Sequence, residues 1–369
     1  AAVRLAGRRR LALPYSLHRR LARLTCDGQP DGVAYLRHAV TIDGAAWRVR
    51  AEIRAAGDHS APPTSAASAR ALAPGAGAVD AAALPRFDDY DLDPAYVARL
   101  DRLFLRAMHD RWWRIEVRGL EHVPRDGRGV LTGVHRGFQP WDGVMMLRLC
   151  AERLMRHPRF LVHPSLVKMP WLAPYMRKLG GIIACRENAA RVLEADDLLA
   201  IFPEGISGAF RPYRDAYRLT RFGRDEYLKM ALRHRAPIVP FVTVGSAEIF
   251  PIVAKVQWRW WTRTMEWPCL PIAPPFPLLP VPLPSKWHTV FLPPIHVERR
   301  YGPDAADDAA LVRALSRRIQ MRMQAALDDL RARRPGIFRG RIWADPEAPT
   351  LSPAVLASTP VLERDAEAA

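Results

Sequence analysis

Short apolar runs separated by amphipathic stretches occupy the chain between about residue 88 and residue 340. Six of these runs have the length and the flanking turn residues of buried strands, and they lie at 129–134, 159–163, 181–185, 198–202, 237–245 and 288–292. Helical patterns lie around them at 93–113, 142–156, 188–197, 223–234 and 307–333. Strands that alternate with helices predict an α/β fold, with a mostly parallel central sheet flanked by helices.

The first 87 residues follow a different pattern. Residues 1–24 are basic throughout and predict a short amphipathic helix that could lie on a membrane, or else a frayed extension. Residues 47–54 alternate apolar and charged side chains, which indicates one strand of a small hairpin. A stretch rich in Ala, Pro, Ser and Gly then predicts a flexible linker. We therefore expect a basic N-terminal extension (1–55), this linker (56–87), the main domain (88–340) and a poorly ordered tail (341–369).

Composition adds a large core and a strong positive charge. Hydrophobic residues make up 49% of the 369 residues, which excludes a disordered chain. The formal net charge is +17. Arginine enrichment can reflect the base composition of a genome, but the resulting field attracts anionic lipid or phosphorylated molecules in either case. No nucleic-acid-binding motif accompanies the charge, so we expect a membrane surface or a phosphorylated small molecule, and no nucleic acid.

The cysteines and the apolar segments bear on the compartment. The cysteines at 26, 150, 185 and 269 lack metal-ligand spacing, which predicts neither a metal site nor a disulfide framework and fits a reducing compartment. No secretory signal is evident. The apolar stretch 268–284 is broken by prolines and cannot form a membrane-spanning helix. We therefore expect a peripheral protein on the cytoplasmic face of a membrane.

Candidate chemistry begins at the sequence GVHRGFQPWDGVMM, residues 133–146. His135 follows a predicted strand, and Asp142 stands where a helix begins. A histidine held by a carboxylate can act as a general base on a hydroxyl. Seven residues on a continuous helix would separate the two by about 10 Å, but Gly137 permits a tight turn and Pro140 suits a helix start. The alternative is a surface histidine beside an aspartate that merely stabilises a helix N-terminus.

A second segment is the sequence FPEG at the end of a predicted strand. Phe202, Pro203, Glu204 and Gly205 place a carboxylate beside a glycine that lets the backbone approach a ligand. This arrangement suits the binding of a polar headgroup. A simple exit from strand to turn would explain the same residues.

Two further segments follow the same logic. Arg186 comes directly after the strand predicted at 181–185, where a guanidinium could bind phosphate or be a solvated loop charge. Pro240 lies inside the apolar run 237–245 and indicates a bulge or bend near the site. No GxSxG, P-loop, GxGxxG or HExxH pattern is present.

The order of these four segments resembles that of the phospholipid and glycerol acyltransferase family. That family's signature is a His…Asp block, an arginine block, an FPEG block and a proline-containing strand, and the resemblance covers roughly residues 88–340. It implies an O-acyltransferase that needs no metal or cofactor and uses acyl-CoA or acyl-carrier protein as the donor. The acceptor would be a hydroxyl of a glycerolipid or lysophospholipid.

The resemblance also implies roles for individual residues. His135 would be the general base and Asp142 its orienting carboxylate. Arg186 and the FPEG block would bind the acceptor's phosphate or glycerol portion, and Pro240 would shape the acyl or acceptor pocket.

Two departures from the familiar pattern mark a branch. Six residues separate His135 from Asp142 where four are familiar, and the form HxGxxPxD is similar to branches near the diacylglycerol and monoacylglycerol acyltransferases. The FPEG block continues with Ile206-Ser207-Gly208 and lacks the Thr-Arg pair common in members that acylate lysophosphatidate, which weakens the case for a phosphate on the acceptor. The same departures leave open a catalytically inactive lipid-binding protein with this fold.

Membrane contact has a sequence signal of its own. The segment VQWRWWTRTMEW, residues 256–267, interleaves arginines with four tryptophans: Trp258, Trp260, Trp261 and Trp267. Indole rings favour the headgroup region, and arginines pair with anionic lipid. The alternative is a packed tryptophan cluster beneath a loop.

Overall fold

A seven-stranded sheet forms the centre of the protein. The computed structural model describes residues 34–42, 45–53, 92–163, 172–220, 222–223, 225–279, 281–345, 347–353 and 355. The strands of the central sheet are β3 (Glu116–Arg118), β4 (Gly129–Gly133), β5 (Arg159–Val162), β6 (Gly181–Ile183), β7 (Leu198–Ile201), β8 (Ile238–Val244) and β11 (His288–Phe291). Their spatial order is β3-β11-β8-β4-β7-β5-β6.

Five of the seven strands run parallel to one another. Strands β8, β4, β7, β5 and β6 form the parallel part, whereas β11 pairs antiparallel with β8 and parallel with β3. The six runs predicted as strands are all strands, and the predicted class, a mostly parallel sheet with flanking helices, is confirmed. The antiparallel direction of β11 carries no sequence signal, because an apolar run reads the same in either direction.

Helices cover both faces of this sheet. They are α1 (Pro94–Leu100), α2 (Trp141–Leu154), α3 (Ala173–Lys178), α4 (Arg186–Glu194), α5 (Gly205–Ala209), α6 (Glu226–Arg233), α7 (Arg259–Met265), α8 (Val297–Arg300) and α9 (Ala309–Arg333). After α1 the chain continues as wide helical turns to Trp112, which accounts for the longer helix predicted there. Buried residues of α4, α6 and α9 form one core layer, and those of α1, α2 and α3 form the other.

Shorter elements lie outside the central sheet. Strands β1 (Ala34–Ile42) and β2 (Ala45–Ile53) pair antiparallel, and β2 contains the strand predicted from the alternation at 47–54. Strands β9 (Ala254–Val256) and β10 (Leu270–Ile272) form a second antiparallel pair that brackets α7. The helix predicted within 1–24 and the linker predicted at 56–87 lie outside the described residues.

The described part of the chain beyond residue 340, where the sequence predicts a poorly ordered tail, packs against the domain. Trp343 and Leu351 are 3% and 4% exposed. The indole of Trp343 lies edge-on to the ring of His288 and under the guanidinium of Arg118. Burial lowers the pKa of His288 to about 4, so this ring is neutral at pH 7 and packs as an apolar group. Proline and alanine content suggested disorder, but two large apolar side chains suffice to anchor the segment.

Candidate active site

The loops that follow the parallel strands meet at one edge of the sheet. In a parallel arrangement all carboxyl ends lie at the same edge, and ligands bind there. His135 lies two residues beyond β4, the FPEG residues follow β7, and Arg186 lies three residues beyond β6. The sequence therefore delivers its candidate residues to a common edge, although to different strands along it.

His135 and Asp142 form a direct hydrogen-bonded pair. Nδ1 of His135 lies 2.7 Å from Oδ1 of Asp142. The loop closes as its sequence suggests, since Gly137 adopts φ +73° and Pro140 immediately precedes α2. The Asp142 side chain is fully buried, and its oxygens also accept from the backbone N–H groups of Arg136 and Gly143 at 2.8 Å each. Three donors hold the carboxylate in one position, so the imidazole it binds is oriented as well.

This pair fixes which imidazole nitrogen carries the proton. A carboxylate only accepts hydrogen bonds, so in the neutral ring Nδ1 donates to Asp142 and Nε2 keeps its lone pair. The side chain of His135 is 14% exposed, and the ring of Phe202 lies 5.3 Å from it, centroid to centroid. The geometry thus provides an oriented base beside the ring of Phe202.

Glu204 has a different place from the one predicted. The prediction that it binds the acceptor directly is not supported, because the chain itself occupies both of its carboxylate oxygens. Nη1 of Arg136 donates to Oε2 at 2.6 Å, and the backbone N–H and hydroxyl of Thr220 both donate to Oε1 at 2.8 Å. The side chains of Arg136 and Glu204 are 1% and 2% exposed. This buried ion pair helps to hold the histidine loop in place, because Arg136 is part of that loop and its backbone N–H donates to Asp142.

The other FPEG residues stay nearer the surface. Phe202 and Pro203 are partly exposed, and Gly205 is exposed with φ +59° and open space around its Cα. A backbone stretch of this kind can approach a ligand closely. Phe202, Pro203 and Gly205 are therefore the residues of the FPEG block that solvent reaches.

Arg186 and Pro240 lie apart from the histidine. Arg186 opens α4, and its exposed guanidinium pairs with Glu226 Oε1 at 2.7 Å. It follows edge strand β6, which β7 and β5 separate from β4, so about 14 Å of sheet width lies between them.

Pro240 is buried in β8, directly opposite Thr132 of β4. The sequence predicts a bulge or bend near Pro240, and the irregularity lies in the segment that pairs with β8. Between the pairs Phe241–Phe291 and Ile238–Ile295, this segment has three residues and β8 has two.

The four tryptophans divide into two pairs. Trp258 and Trp260 are 49% and 57% exposed, and their rings contact each other at the surface. Trp261 and Trp267 are partly buried, and Trp267 packs against Phe138 and Phe210. The segment therefore anchors with one pair and presents the other to solvent.

Two features of the site escaped the sequence interpretation. The first is Arg136, one of many arginines in the chain, whose burial depends on Glu204, 68 residues later. The second is a group of aromatic side chains around Phe138, which we call the aromatic wall. The ring centroid of Phe138 lies 4.6–6.2 Å from those of Phe210, Phe250, Trp267 and Phe276. The sequence did offer a signal for Phe138, because it lies in the same loop as His135, three residues later.

Two absences hold for the residues that the structure describes. In that part of the chain, no group of three or more His, Cys, Asp or Glu side chains could hold a metal ion. Nor does any of its helices have the length and apolar character needed to cross a bilayer.

Fold and site together define an α/β protein with a histidine–carboxylate pair at the carboxyl edge of its sheet. The model of the acyltransferase family matches residues 114–244, from the start of the sheet to the end of β8. An uncharacterized protein of Mycobacterium tuberculosis is 36% identical over 69% of this chain and 72% of its own length. The chain belongs to the phospholipid and glycerol acyltransferase family, as its motifs implied.

Two more distant likenesses are to a plant protein and to a solved bacterial structure. Phytyl ester synthase 2 of Arabidopsis thaliana is 31% identical over 37% of this chain and 20% of its own. The crystal structure of the 1-acyl-sn-glycerophosphate acyltransferase PlsC of Thermotoga maritima shares 18% identity, with a TM-score of 0.43 over 65% of this chain and 82% of that one.

Proposed function

We propose that this acyltransferase moves a fatty acyl group from a thioester donor to a lipid hydroxyl, with His135 as the general base. The observation that carries the proposal is the 2.7 Å hydrogen bond from His135 Nδ1 to Asp142, whose buried carboxylate also accepts two backbone hydrogen bonds. That bond leaves Nε2 as the free basic nitrogen. The donor is acyl-CoA or acyl-carrier protein, and the acceptor is a glycerolipid or lysophospholipid.

The reaction balances without a covalent intermediate on the protein. Nε2 of His135 takes the hydroxyl proton as the acceptor oxygen attacks the thioester carbonyl carbon. The new C–O bond forms, the C–S bond breaks, and the departing sulfur receives the proton from Nε2. The products are an ester and a free thiol. Asp142 holds the imidazole in place and stabilises its transient positive charge.

Within the proposal, the surroundings of His135 favour an uncharged acceptor. The ring of Phe202 lies beside it, and Phe138 of the same loop belongs to a cluster of aromatic side chains. The buried cation next to His135 in the chain, Arg136, is neutralised by Glu204, and Arg186 is paired with Glu226 of α6. The Arabidopsis relative is named as a synthase of phytyl esters, which is consistent with an alcohol acceptor.

An acceptor panel tests the function. The purified protein is incubated with a long-chain acyl-CoA and one of three acceptors: a diacylglycerol, a long-chain alcohol or lysophosphatidate. Free thiol and ester are both measured. We expect thiol release that depends on the acceptor, and faster turnover with the two uncharged acceptors. Ester formation with none of them, using either acyl-CoA or acyl-carrier protein, would favour an inactive lipid-binding protein instead.

A membrane surface is the natural source of such an acceptor, and we propose that α7 contacts it. Trp258 and Trp260 project from a helix without a single buried residue, and Arg259 and Arg263 are exposed beside them. Exposed indoles with neighbouring arginines match the chemistry of an anionic headgroup layer. Trp267 packs against Phe138, so this surface connects directly to the aromatic wall of the site.

Replacing Trp258 and Trp260 together with serine should release the protein from anionic vesicles, because both indoles would lose the headgroup layer. Co-sedimentation with phosphatidylglycerol vesicles measures this effect. Met155 is 82% exposed at the far end of α2, so Met155→Ser is a matched control for exposed apolar area. Unchanged co-sedimentation of the double tryptophan variant, with its fold intact, would contradict the proposed contact.

A further inference from the structure

A basic groove lies along the segment whose Ala216 carbonyl accepts a hydrogen bond from Arg136. It has a volume of about 590 Å³ and lies between residues 214–219 and one face of α9. Four arginines line it: Arg214, Arg218, Arg317 and Arg331. We propose that this groove binds the phosphorylated nucleotide end of an acyl-CoA donor. The inference rests on the proposed function, and it names a place for the donor that the histidine site does not supply.

The charge of the groove is unbalanced toward cations. Its lining includes two carboxylates, Asp215 and Asp328, so four guanidinium groups against two carboxylates leave an excess of two positive charges. Asp215 is near Arg214, at 3.4 Å, and Asp328 accepts from Gln324. Arg218 and Arg317 are exposed and have no carboxylate partner among the described residues. Guanidinium groups of this kind bind phosphate through paired N–H donors.

The walls of the groove are held together by hydrogen bonds. Gln324 bridges α9 to the facing segment, donating to the carbonyl of Tyr217 at 3.0 Å and accepting from the N–H of Leu219 at 2.7 Å. Gln320 adds a bond to the carbonyl of Thr220 at 2.8 Å. The guanidinium of Arg331 lies over the buried ring of Tyr217. A site whose walls are already ordered loses less entropy on binding.

The segment 216–220 borders the groove and also contacts residues of the histidine site. Ala216, beside Tyr217, accepts a hydrogen bond from Nε of Arg136, and Thr220 holds Glu204. Arg136 adjoins His135 in the chain. The pantetheine arm of coenzyme A has roughly the length of four extended residues, about 14 Å. We infer that a donor with its phosphates among these arginines directs this arm toward the histidine.

The size of the groove also suits a nucleotide. Pockets that enclose small ligands span about 300–1,000 Å³, and this groove falls within that range. An acidic carrier protein would instead spread over the outer surface, and it would bring only one phosphate. The surplus of cations around a concave space favours the nucleotide of coenzyme A.

The test compares Arg218→Gln/Arg317→Gln with a charge-matched control, Arg313→Gln/Arg318→Gln. Arg313 and Arg318 are exposed on α9 but lie outside the groove. We expect the groove variant to raise KM for acyl-CoA about 10- to 100-fold with kcat nearly unchanged, since each lost arginine removes charge-assisted bonds to phosphate. Acyl-pantetheine, which lacks the phosphates, should be used equally well by the wild type and both variants.

Direct binding separates this inference from the proposed function. Calorimetry with adenosine 3′,5′-bisphosphate requires no turnover, and we expect binding to the wild type and the control but weaker binding to the groove variant. Equal binding by all three proteins, or an unchanged KM for acyl-CoA, would overturn the inference while leaving the acyltransferase proposal intact. A variant effect confined to acyl-carrier protein would also overturn it. Binding that follows the arginines in a protein without turnover would uphold the groove and count against the function.

Discussion

Replacing His135 with alanine is expected to lower the rate of thiol release from acyl-CoA, in the presence of acceptor, by about 10²–10⁴-fold. The reason is the loss of Nε2, the only atom of the Asp142–His135 pair that can take the acceptor proton. The fold should persist, because Asp142 keeps its hydrogen bonds to the backbone N–H groups of Arg136 and Gly143. The measurement is the initial rate of free thiol formation, with thermal unfolding followed in parallel.

The chain offers a matched histidine for comparison. His296 binds Glu298 through Nδ1 at 2.8 Å and is also mostly buried, but it lies at the start of α8, away from the histidine loop. His296→Ala should leave the rate unchanged. Turnover retained in His135→Ala would remove this residue from the mechanism, and an equal loss in both variants would point to folding rather than to proton transfer.

Breaking the Arg136–Glu204 ion pair is expected to destabilise the protein by about 3–5 kcal/mol, because one charge would remain buried without its partner. Glu204→Gln makes this change with almost no change in volume. Its free energy of unfolding, measured with urea, should fall by this amount. Activity should fall with it, since Arg136 donates its backbone N–H to Asp142.

Two comparisons isolate the cause. Arg233 and Asp307 form an equally short ion pair of 2.6 Å, but both side chains are exposed, so Asp307→Asn should change stability by less than about 1 kcal/mol. The double variant Arg136→Met/Glu204→Leu removes both buried charges and should recover most of the lost stability. Full stability of Glu204→Gln with loss of turnover would instead mean that Glu204 contacts the substrate.

Much of the fold could be predicted from local pattern. The apolar runs that became β4, β5, β7 and β8 are bounded by turn residues and are long enough to be read as strands. The loop from His135 to Asp142 was also readable, because Gly137 and Pro140 have conformational preferences of their own. Shorter elements such as β3, α3 and α7 have too few residues to show a strand or helix periodicity in their apolar positions. Their positions depend on packing.

The site was harder to predict than the fold because its partners are distant in sequence. A carboxylate at the end of a strand suggested that Glu204 binds substrate, and only folding brings Arg136 and Thr220 to it. Arg186 likewise looked free until α6 placed Glu226 against it. Charges that neutralise each other across the fold look the same in sequence as charges that bind ligands.

The packed C-terminal segment also contacts one edge of the sheet, where we expect it to oppose self-association. Strand β3 has only three residues and forms one edge of the sheet, where unpaired backbone groups could template pairing with a second copy. Arg341 binds Glu116 of β3, and Arg118 of β3 lies over Trp343. A shortened version of the protein that stops at residue 340 would strip these contacts from the edge. One that continues past Leu351 would keep the edge covered, and is the better choice for work at high concentration.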